Sequence, residues 1–405
     1  MSGLDAAMIV ILVAAIFGCG VALVCAYRGA RWCLNRIAKS LAVVPEHVMR
    51  NATVERFVLD MAKEKPIRFT AEQLTGITRN YSMRLGTGGF GTVYRGALPN
   101  GLAVAVKVLH PGLDTKTSEE QFMAEMGTIG RTHHINLVRL YGFCFDANAT
   151  RALVYEFMPN GSLDDYLSSA RRAGAEVSMT TVAAIATGVA RGLRYLHEEC
   201  QHKIVHYDIK PGNVLLDATL TPKVADFGLA RFVSRADTHV SLSGGRGTPG
   251  YAAPEVWTEL RITEKCDVYS FGMLLLKIVG RGSSFHCEDD AASGSESSQP
   301  WFPMVAWTRY EASDLMELVL PTDVDDTRSS SREVVERMCK VAFWCVQQRP
   351  AARPSMSAVV KMLEGEMEIA PPPNPFQYLV ANLWINVVSS DVASSQQSCL
   401  SSHKK

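Results

Sequence analysis

The feature that most constrains the fold is a glycine-rich segment at residues 85–93, which reads Leu-Gly-Thr-Gly-Gly-Phe-Gly-Thr-Val. Its Gly-x-Gly-x-x-Gly spacing occurs in dinucleotide-binding turns, which open a helix, and in hairpins that lie over phosphates. Here residues 92–97 are β-prone, residues 99–101 predict a turn, and residues 102–109 predict a second, apolar strand. The segment therefore predicts a β-hairpin whose backbone amides can face phosphates, and it argues against a dinucleotide-binding oxidoreductase.

The second predicted strand carries a lysine among apolar residues, in the sequence Val-Ala-Val-Lys that ends at Lys107. A lysine in an apolar strand is costly unless it faces solvent or meets an anion. Lys107 follows Gly91 by sixteen residues, which is the reach of one hairpin. Residues 119–130 have helical character, and Glu125 on that helix could approach Lys107. Taken alone, however, Lys107 is equally consistent with a solvated strand edge.

A second polar cluster lies at residues 204–216, where Asp208, Lys210 and Asn213 interrupt an otherwise apolar run. An Asp-Phe-Gly triplet begins at Asp226, eighteen residues after Asp208. Two acids and an amide supply the hard oxygen ligands that Mg²⁺ prefers. A lone Asp-Phe-Gly triplet occurs by chance, so the information lies in the order of all these features along the chain.

Residues 247–255, Gly-Thr-Pro-Gly-Tyr-Ala-Ala-Pro-Glu, complete an ordered set of motifs that resembles the eukaryotic protein kinases. The chain is also similar in sequence to plant receptor-like Ser/Thr kinases, in particular the leaf-rust-resistance-kinase-like group. This similarity lies in residues 85–94, 153–163 and 267–272. The resemblance covers most of the chain, and the full motif set is highly specific.

The resemblance implies an α+β, bilobal protein kinase fold at residues 68–369. A β-rich N-lobe would occupy about 68–157, and a helical C-lobe would occupy about 158–369. The implied activity is that of a membrane-anchored Ser/Thr protein kinase in plant defence signalling. Such an enzyme transfers the γ-phosphate of ATP to Ser or Thr hydroxyls of protein substrates.

The same resemblance assigns roles to individual residues. Asp208 would accept the substrate hydroxyl proton, and Lys210 would contact the transferred phosphate. Lys107 would hold the α- and β-phosphates while paired with Glu125. The expected metal ligands, for Mg²⁺ or alternatively Mn²⁺, are Asn213 and Asp226. The expected ATP-binding residues are Leu85, Gly86, Thr87, Gly88, Gly89, Phe90, Gly91, Thr92, Val93, Ala105, Lys107, Tyr155 as gatekeeper, Glu156, Met158 and Leu215.

Further residues would support the site without taking part in the chemistry. The resemblance pairs Glu255 with Arg353 and places Asp267 beneath the catalytic loop. The residues expected to stack as a regulatory spine are Ile129, Leu140, His206 and Phe227.

Two positions near the catalytic aspartate bear on specificity and regulation. Lys210, two residues after that aspartate, and Thr248 are typical of the Ser/Thr class. Tyr207 replaces the arginine that usually clamps a phosphorylated activation loop, and a tyrosine cannot form the bidentate charge pair. We therefore expect activity that depends little on loop phosphorylation.

A catalytically silent pseudokinase is the main alternative, acting as a nucleotide-binding or protein-binding scaffold. The residues that discriminate against it are Lys107, Asp208, Asn213 and Asp226, all present in this chain.

A run of 22 uncharged residues at 6–27 predicts a transmembrane helix, because it would span about 33 Å of a roughly 30 Å hydrocarbon core. The basic flank that follows predicts a cytosolic juxtamembrane segment at 28–67, with residues 1–5 outside the cell. The chain would then be a single-pass membrane protein, most simply of the plasma membrane. A cleaved signal peptide is the alternative, but the run is too long and an acid precedes it.

The predicted membrane helix also suggests partners. Small residues recur every fourth position on one face, at Ala14, Gly18, Ala22 and Ala26, which would allow a homodimer by close helix packing. The alternative, which the composition favours, is that Ala and Gly are simply common in membrane helices. Because only five residues precede the helix, we expect either that a partner receptor supplies extracellular sensing or that this sequence is a shortened gene model. The formal net charge of zero argues against nucleic-acid binding through bulk charge.

Residues 281–300 predict a disordered insert, and residues 370–405 predict a C-terminal tail.

Overall fold

The computed structural model describes residues 28, 66–89, 91–110, 115–145, 150–175, 177–233, 247–258, 262–280, 301–315 and 328–377. The chain divides into two compact units, Met1–Glu64 and Lys65–Lys405, and every described residue except Arg28 belongs to the second. The predicted membrane helix at 6–27 and the predicted insert at 281–300 lie outside these ranges. Among the helices within them, none is both long and apolar enough to cross a bilayer.

A six-stranded sheet forms the amino-terminal lobe. Its strands are β1 (Ile67–Arg68), β2 (Arg84–Gly88), β3 (Gly91–Ala97), β4 (Ala103–Leu109), β5 (Leu140–Phe145) and β6 (Arg151–Glu156). Their order is β1-β5-β6-β4-β3-β2, and only the β1–β5 pair is parallel. The predicted hairpin of residues 92–97 and 102–109 is confirmed as β3–β4, which is paired along the whole of β3. The glycine-rich residues that precede it form strand β2 and its connection to β3, and β2 pairs with β3 as well.

Side chains alternate along each strand, so every strand contributes residues to both faces of the sheet. Other elements pack against both faces. Val104, Val106 and Val154 face outward and pack with the fully buried Leu74 of helix α1 (Ala71–Ile77). That helix begins with a capping box in which Thr70 and Gln73 bond each other's backbone. The alternate residues of β4 face the opposite way, and they include Lys107.

Helix α2 (Thr115–Thr128) runs into a 3₁₀ turn at Ile129–Arg131 and covers the inner face of the sheet. Its Phe122 is buried and makes ring contacts with Phe143 and Phe145 of strand β5. This packing fixes the helix against the sheet and so determines where Glu125, one turn further on, is held.

Helices dominate the carboxy-terminal lobe. They are α3 (Leu163–Arg172), α4 (Met179–Arg194), α5 (Pro254–Trp257), α6 (Lys265–Val279), α7 (Phe302–Glu311), α8 (Arg328–Cys345) and α9 (Met356–Glu364). Almost every residue of α6 is buried, and α8 packs closely along it. At Gly272 an added Cβ would lie 2.7 Å from Cys345 Cβ, so the close approach requires glycine. The division into a β-rich lobe and a helical lobe is as predicted.

Two short antiparallel ribbons hold the loops that carry Asp208 and Asp226. Strand β7 (Lys203–Val205) pairs with β10 (Arg231–Val233), and β8 (Val214–Leu216) pairs with β9 (Pro222–Val224). The loop between β7 and β8 carries Asp208, and the loop between β9 and β10 carries Asp226. The ribbons therefore bring these two loops together.

The chain continues to pack after helix α9. The side chains of Trp344, Gln347 and Gln348 donate hydrogen bonds to backbone carbonyls of residues 370, 373 and 375, at 2.9, 2.9 and 3.2 Å. Phe376 is 1% exposed and its ring contacts Trp301. We call residues 370–376 the C-terminal strap; it lies in the predicted tail, whose residues 378–405 are outside the described ranges.

Candidate active site

Lys107 is the centre of a buried charge cluster formed by three separate elements. Its Nζ lies 3.1 Å from both Oε1 and Oε2 of Glu125 on α2, and 2.7 Å from Oδ1 of Asp226. Strand β4 positions the lysine, α2 positions the glutamate, and the loop after β9 positions the aspartate. Two carboxylates around one ammonium leave the cluster with excess negative charge, which favours a bound cation.

Burial and charge act in opposite directions on these groups. Burial alone would lower the pKa of Lys107, but the carboxylates of Glu125 and Asp226 outweigh it and raise the pKa above its ordinary value. Burial raises the pKa of Glu125, and Lys107 offsets only part of the increase. Burial would likewise raise the pKa of Asp226, but Lys107 outweighs burial and lowers it. Asp226 therefore stays ionised over the physiological range.

Tyr155, at the inner face of strand β6, also contacts Glu125. Its hydroxyl donates a hydrogen bond to Glu125 Oε1. Burial, followed by the nearby carboxylate, raises the pKa of Tyr155 well above its ordinary value, so the phenol keeps its proton and acts as a donor. Glu125 is thus held by Lys107 on one side and by Tyr155 on the other. The sequence suggested Tyr155 as a nucleotide contact but gave no sign of this second role.

Three side chains surround the Asp208 carboxylate, two from the loop between β7 and β8 and one from Thr248. Asn213 Nδ2 lies 2.8 Å from both the carbonyl oxygen and Oδ2 of Asp208. Lys210 Nζ lies 3.0 Å from Asp208 Oδ2, and Thr248 Oγ1 donates to Asp208 Oδ1 at 2.6 Å. Lys210 Nζ also donates to Thr248 Oγ1 at 2.7 Å. The loop therefore presents a buried carboxylate whose two oxygens are both engaged by side chains that could instead meet a substrate.

Asp267 of helix α6 supports this loop from below. Its carboxylate accepts the backbone N–H groups of His206 and Tyr207, each at 2.8 Å, and lies 2.9 Å from His197 Nε2. Burial would raise the pKa of Asp267, but His197 and these amides outweigh it and lower the pKa. Tyr207 has a left-handed backbone, with φ of +68°, a conformation that non-glycine residues seldom adopt.

The predicted spine residues lie in one buried core. Ile129, Leu140 and Phe227 belong to the same apolar cluster, and the His206 ring lies 4.8 Å from the Phe227 ring, edge to face. His206 Nε2 is also 3.0 Å from the carbonyl oxygen of Ala225. The Asp-Phe-Gly segment is therefore packed against both the catalytic loop and α2.

The glycine-rich hairpin contains two kinds of glycine. A side chain built on Gly86 or Gly88 would meet no described atom within 4 Å, so this part of the hairpin has open space beside it. A side chain on Gly91 would lie 2.5 Å from the carbonyl oxygen of Val108, so Gly91 is required for the contact with β4. The neighbouring hydroxyls form a chain in which Thr87, Thr92 and His110 are linked at 3.2 and 2.9 Å. Phe90 lies outside the described residues.

The other predicted nucleotide contacts come from strands that meet at the same end of the sheet. Val93 is paired opposite Lys107, and Ala105 is paired opposite Tyr155. Glu156 and Met158 follow on the segment that joins the lobes, and Leu215 of β8 bridges to Ser162 just beyond it. Leu85 and Leu215 belong to different lobes, so the predicted nucleotide residues come from both lobes.

Glu255 anchors the end of the segment that carries Thr248. Arg353 Nη1 and Nη2 donate to Glu255 Oε1 and Oε2 at 2.5 and 2.9 Å, and both side chains are almost fully buried. Arg353 also donates to three backbone carbonyls, of Gln347, Lys265 and Gln348. The bidentate pair fixes the start of helix α5 to the body of the helical lobe.

Comparison with known proteins agrees with this architecture. Residues 80–363 match the family model described as protein tyrosine and serine/threonine kinase. The chain belongs to this protein kinase family. It is 41% identical over 347 residues to a G-type lectin S-receptor-like serine/threonine-protein kinase of Arabidopsis thaliana, covering 85% of this chain and 39% of that relative.

Two further relatives of the kinase bear names from the leaf-rust group. The leaf rust 10 disease-resistance locus receptor-like protein kinase-like 2.1 of Arabidopsis thaliana is 42% identical over 312 residues, covering 76% of this chain and 47% of that protein. The rust resistance kinase Lr10 of Triticum aestivum is 41% identical over 330 residues, covering 80% and 49%. The resemblance inferred from the motifs is thereby confirmed. The kinase spans less than half the length of each of these relatives.

The residues that would hold a divalent cation fit that role in their chemistry. Among the described residues, no group of three or more His, Cys, Asp or Glu side chains forms a metal cage. Asn213 directs its amide nitrogen to Asp208, which turns its side-chain oxygen elsewhere, and Asp226 supplies a carboxylate. One carboxylate and one amide oxygen are the partial ligand set expected where nucleotide phosphates and water complete the shell of Mg²⁺.

Proposed function

We propose that this kinase is an active, membrane-anchored Ser/Thr protein kinase that transfers the γ-phosphate of ATP to hydroxyls of protein substrates in signalling. The observation that carries the proposal is that the Asp226 segment contacts two groups of residues. The Asp226 carboxylate bonds Lys107 of the β-rich lobe at 2.7 Å, and the N–H of the adjacent Ala225 donates to the carbonyl oxygen of Asn213 at 2.8 Å. The residues assigned to the phosphates are therefore joined to the loop that carries Asp208.

On the nucleotide side, we assign the phosphates to Lys107 and to the backbone of the glycine-rich hairpin. Asp226 and Asn213 would hold Mg²⁺, or Mn²⁺, which neutralises charge on the phosphate oxygens when bound. The amide of Glu156 already donates to the carbonyl of Arg139 at 3.0 Å, so we assign the carbonyl of Glu156 to the adenine edge, together with the Met158 amide.

On the acceptor side, Asp208 is the group we assign to the substrate hydroxyl. It would accept a hydrogen bond from that hydroxyl in the place now taken by Thr248, and take the proton as the phosphoryl group transfers. Lys210, 3.0 Å from Asp208, would turn to the transferred phosphoryl oxygens. The side chain of Thr248 next to Asp208 and Lys210 supports Ser/Thr rather than Tyr acceptors.

Regulation by loop phosphorylation is expected to be weak. Tyr207 is buried and takes the position of the arginine that would bind a loop phosphate. Residues 234–246 of that loop lie outside the described ranges. If phosphatase treatment abolished phosphoryl transfer, and rephosphorylation of the loop restored it, this part of the proposal would be wrong.

Membrane anchoring rests on residues 6–27 and on the receptor-like names of the relatives. We propose a single-pass protein of the plasma membrane with its kinase domain in the cytosol, paired with a partner receptor or with a second copy through the helix. Flotation of the full chain with liposomes, compared with a chain lacking residues 6–27, tests the anchor. Equal flotation of the two chains would contradict a membrane anchor at residues 6–27.

The activity is tested by phosphate incorporation into a generic Ser/Thr protein substrate. We expect Asp208→Asn to reduce the rate by at least about a thousandfold while ADP binding survives, because the carboxylate acts on the hydroxyl and not on the nucleotide. Asp314→Asn is the matched control, since that carboxylate is exposed and pairs with Arg309 at the surface. Equal rates for wild type and Asp208→Asn would refute the activity, and ADP binding without transfer by wild type would favour the pseudokinase.

A further inference from the structure

An ion pair behind the segment that joins the lobes has no part in the proposed chemistry. Lys223 on strand β9 places its Nζ 3.1 Å from Glu156 Oε1 and 3.1 Å from the carbonyl oxygen of Ile135. Both side chains are largely buried, at 13% and 18% exposure. At this degree of burial an ion pair is less screened than one on the surface, so the position of its charges matters more.

Arg139 forms hydrogen bonds with both the side chain and the backbone of Glu156. Its Oε1 accepts the backbone N–H of Arg139 at 2.7 Å, and its own N–H donates to the carbonyl oxygen of Arg139 at 3.0 Å. Backbone and carboxylate of Glu156 therefore form a closed ring with Arg139. Fixing the carboxylate fixes the peptide of Glu156 as well.

Lys223, which pairs with Glu156, belongs to the helical lobe. The connection before β5 is bonded to β9, because Val138 N–H donates to the Val224 carbonyl and Val224 N–H donates to the Asn136 carbonyl, each at 2.9 Å. Lys223 sits next to this junction and is the cation that joins it to Glu156. Three chain segments, residues 134–139, the end of β6 and strand β9, therefore converge on one carboxylate.

The charge of Glu156 also affects the phenol of Tyr141. Burial raises the pKa of Tyr141, and the Glu156 carboxylate raises it further, while Arg139 opposes the shift. Arg139 is stacked over the Tyr141 ring at 5.5 Å. Without Lys223 this partly buried carboxylate would keep an amide partner but lose the ammonium that balances its charge.

We propose that Lys223 is a positioning residue for nucleotide binding, which fixes the backbone of Glu156 against the helical lobe in the orientation that receives adenine. The inference rests on the proposed ATP-binding function and adds to it a residue outside the cleft. Lys223 does not touch the nucleotide; it acts through Glu156. Loss of its charge should therefore weaken nucleotide affinity more than it slows phosphoryl transfer.

The test uses the full chain and five variants, with ADP affinity measured by calorimetry and KM for ATP measured separately from kcat. We expect Lys223→Met to weaken ADP binding and raise KM by about fivefold, with kcat within about twofold of wild type. Lys223→Arg keeps the cation and should bind ADP nearly as wild type does. Lys340→Met, which removes a partly exposed lysine paired with Glu336 on helix α8, is the matched control and should change neither constant.

A double-mutant cycle separates positioning from general stability. Glu156→Gln retains an oxygen for the Arg139 amide but removes the charge, so Lys223→Met should cost little further affinity in that background. Additive losses would overturn the inference, as would a loss of affinity in Lys223→Met that Lys223→Arg fails to rescue. Wild-type ADP affinity in Lys223→Met would overturn it while leaving the proposed function intact. Failure of the wild type itself to bind ADP would instead refute the proposed function.

Discussion

Replacement of Arg353 by methionine tests how strongly the buried ion pair with Glu255 holds the helical lobe. Arg353 makes two hydrogen bonds to the carboxylate and three to backbone carbonyls, and its side chain is fully buried. Its guanidinium also lies 4.9 Å from the centre of the Tyr269 ring. Methionine fills much of the same volume but supplies no donor, so Glu255 would remain as a buried charge without its cation.

The expected magnitude follows from these contacts. Breaking a buried pair by removing one partner costs about 3–5 kcal/mol, and the three carbonyls that lose their donor bring the estimate toward the upper end. A loss of about 5 kcal/mol is a large fraction of a total stability of about 5–15 kcal/mol. In a domain of this size it corresponds to a fall in Tm of about 10 °C or more.

Urea unfolding followed by tryptophan fluorescence measures this loss, with two comparisons. Arg191→Met removes an arginine that pairs with Glu364 at 2.6 Å but is half exposed, and it should cost less than about 1 kcal/mol. The double variant Glu255→Gln/Arg353→Met should be more stable than the sum of its single variants predicts, by about 2 kcal/mol, because it leaves no uncompensated charge. The reasoning is refuted if Arg353→Met costs no more than Arg191→Met, or if the single effects add.

Three further outcomes are expected. Tyr155→Phe keeps the ring but removes the donor to Glu125, so it should lower stability by about 1 kcal/mol in urea unfolding; an unchanged midpoint would contradict the hydrogen bond. Burial raises the pKa of Cys339 and of Cys345 to about 12, so iodoacetamide at pH 8 should leave both unmodified in the native protein, and their rapid labelling in mass spectra would contradict the packing. Phe376→Ala should cost about 3 kcal/mol, because the ring is 1% exposed in the C-terminal strap; a cost below about 1 kcal/mol would show that the strap does not pack.

Without the family resemblance, the parts of the site that the sequence predicts are those whose geometry is set within one short segment. The pair of Glu255 and Arg353, 98 residues apart, is predicted through the resemblance alone. The hairpin follows from glycine spacing, a turn and an apolar strand, all within 25 residues at 85–109. Asp208 and Asn213 are five residues apart in one loop, so their contact requires little long-range information. Helix α1 could also have been found, because Thr70 and Gln73 have the spacing of a capping box.

The contacts that the sequence did not predict join residues distant along the chain. Thr248 reaches Asp208 across 40 residues, His197 reaches Asp267 across 70, and Lys223 reaches Glu156 across 67. Which side chains meet across such separations depends on how helices and ribbons are packed, and no local pattern records it. The C-terminal strap is a similar case, since its prolines predict the end of a helix but not the surface on which the chain then lies.

The buried charges of this kinase are placed where a functional loop joins the scaffold. Asp267 holds two amides of the catalytic loop, and Arg353 holds the end of the segment that carries Thr248. Lys223 holds the segment between the lobes by the same means. A buried charge destabilises a protein unless its partners lie at the correct distances and angles. Any displacement of the loop would separate the charge from its partners and raise the free energy of the folded state. Apolar packing would tolerate small shifts at the same places. We therefore expect that exchanging such a pair for apolar residues of equal volume would harm phosphoryl transfer more than it harms stability.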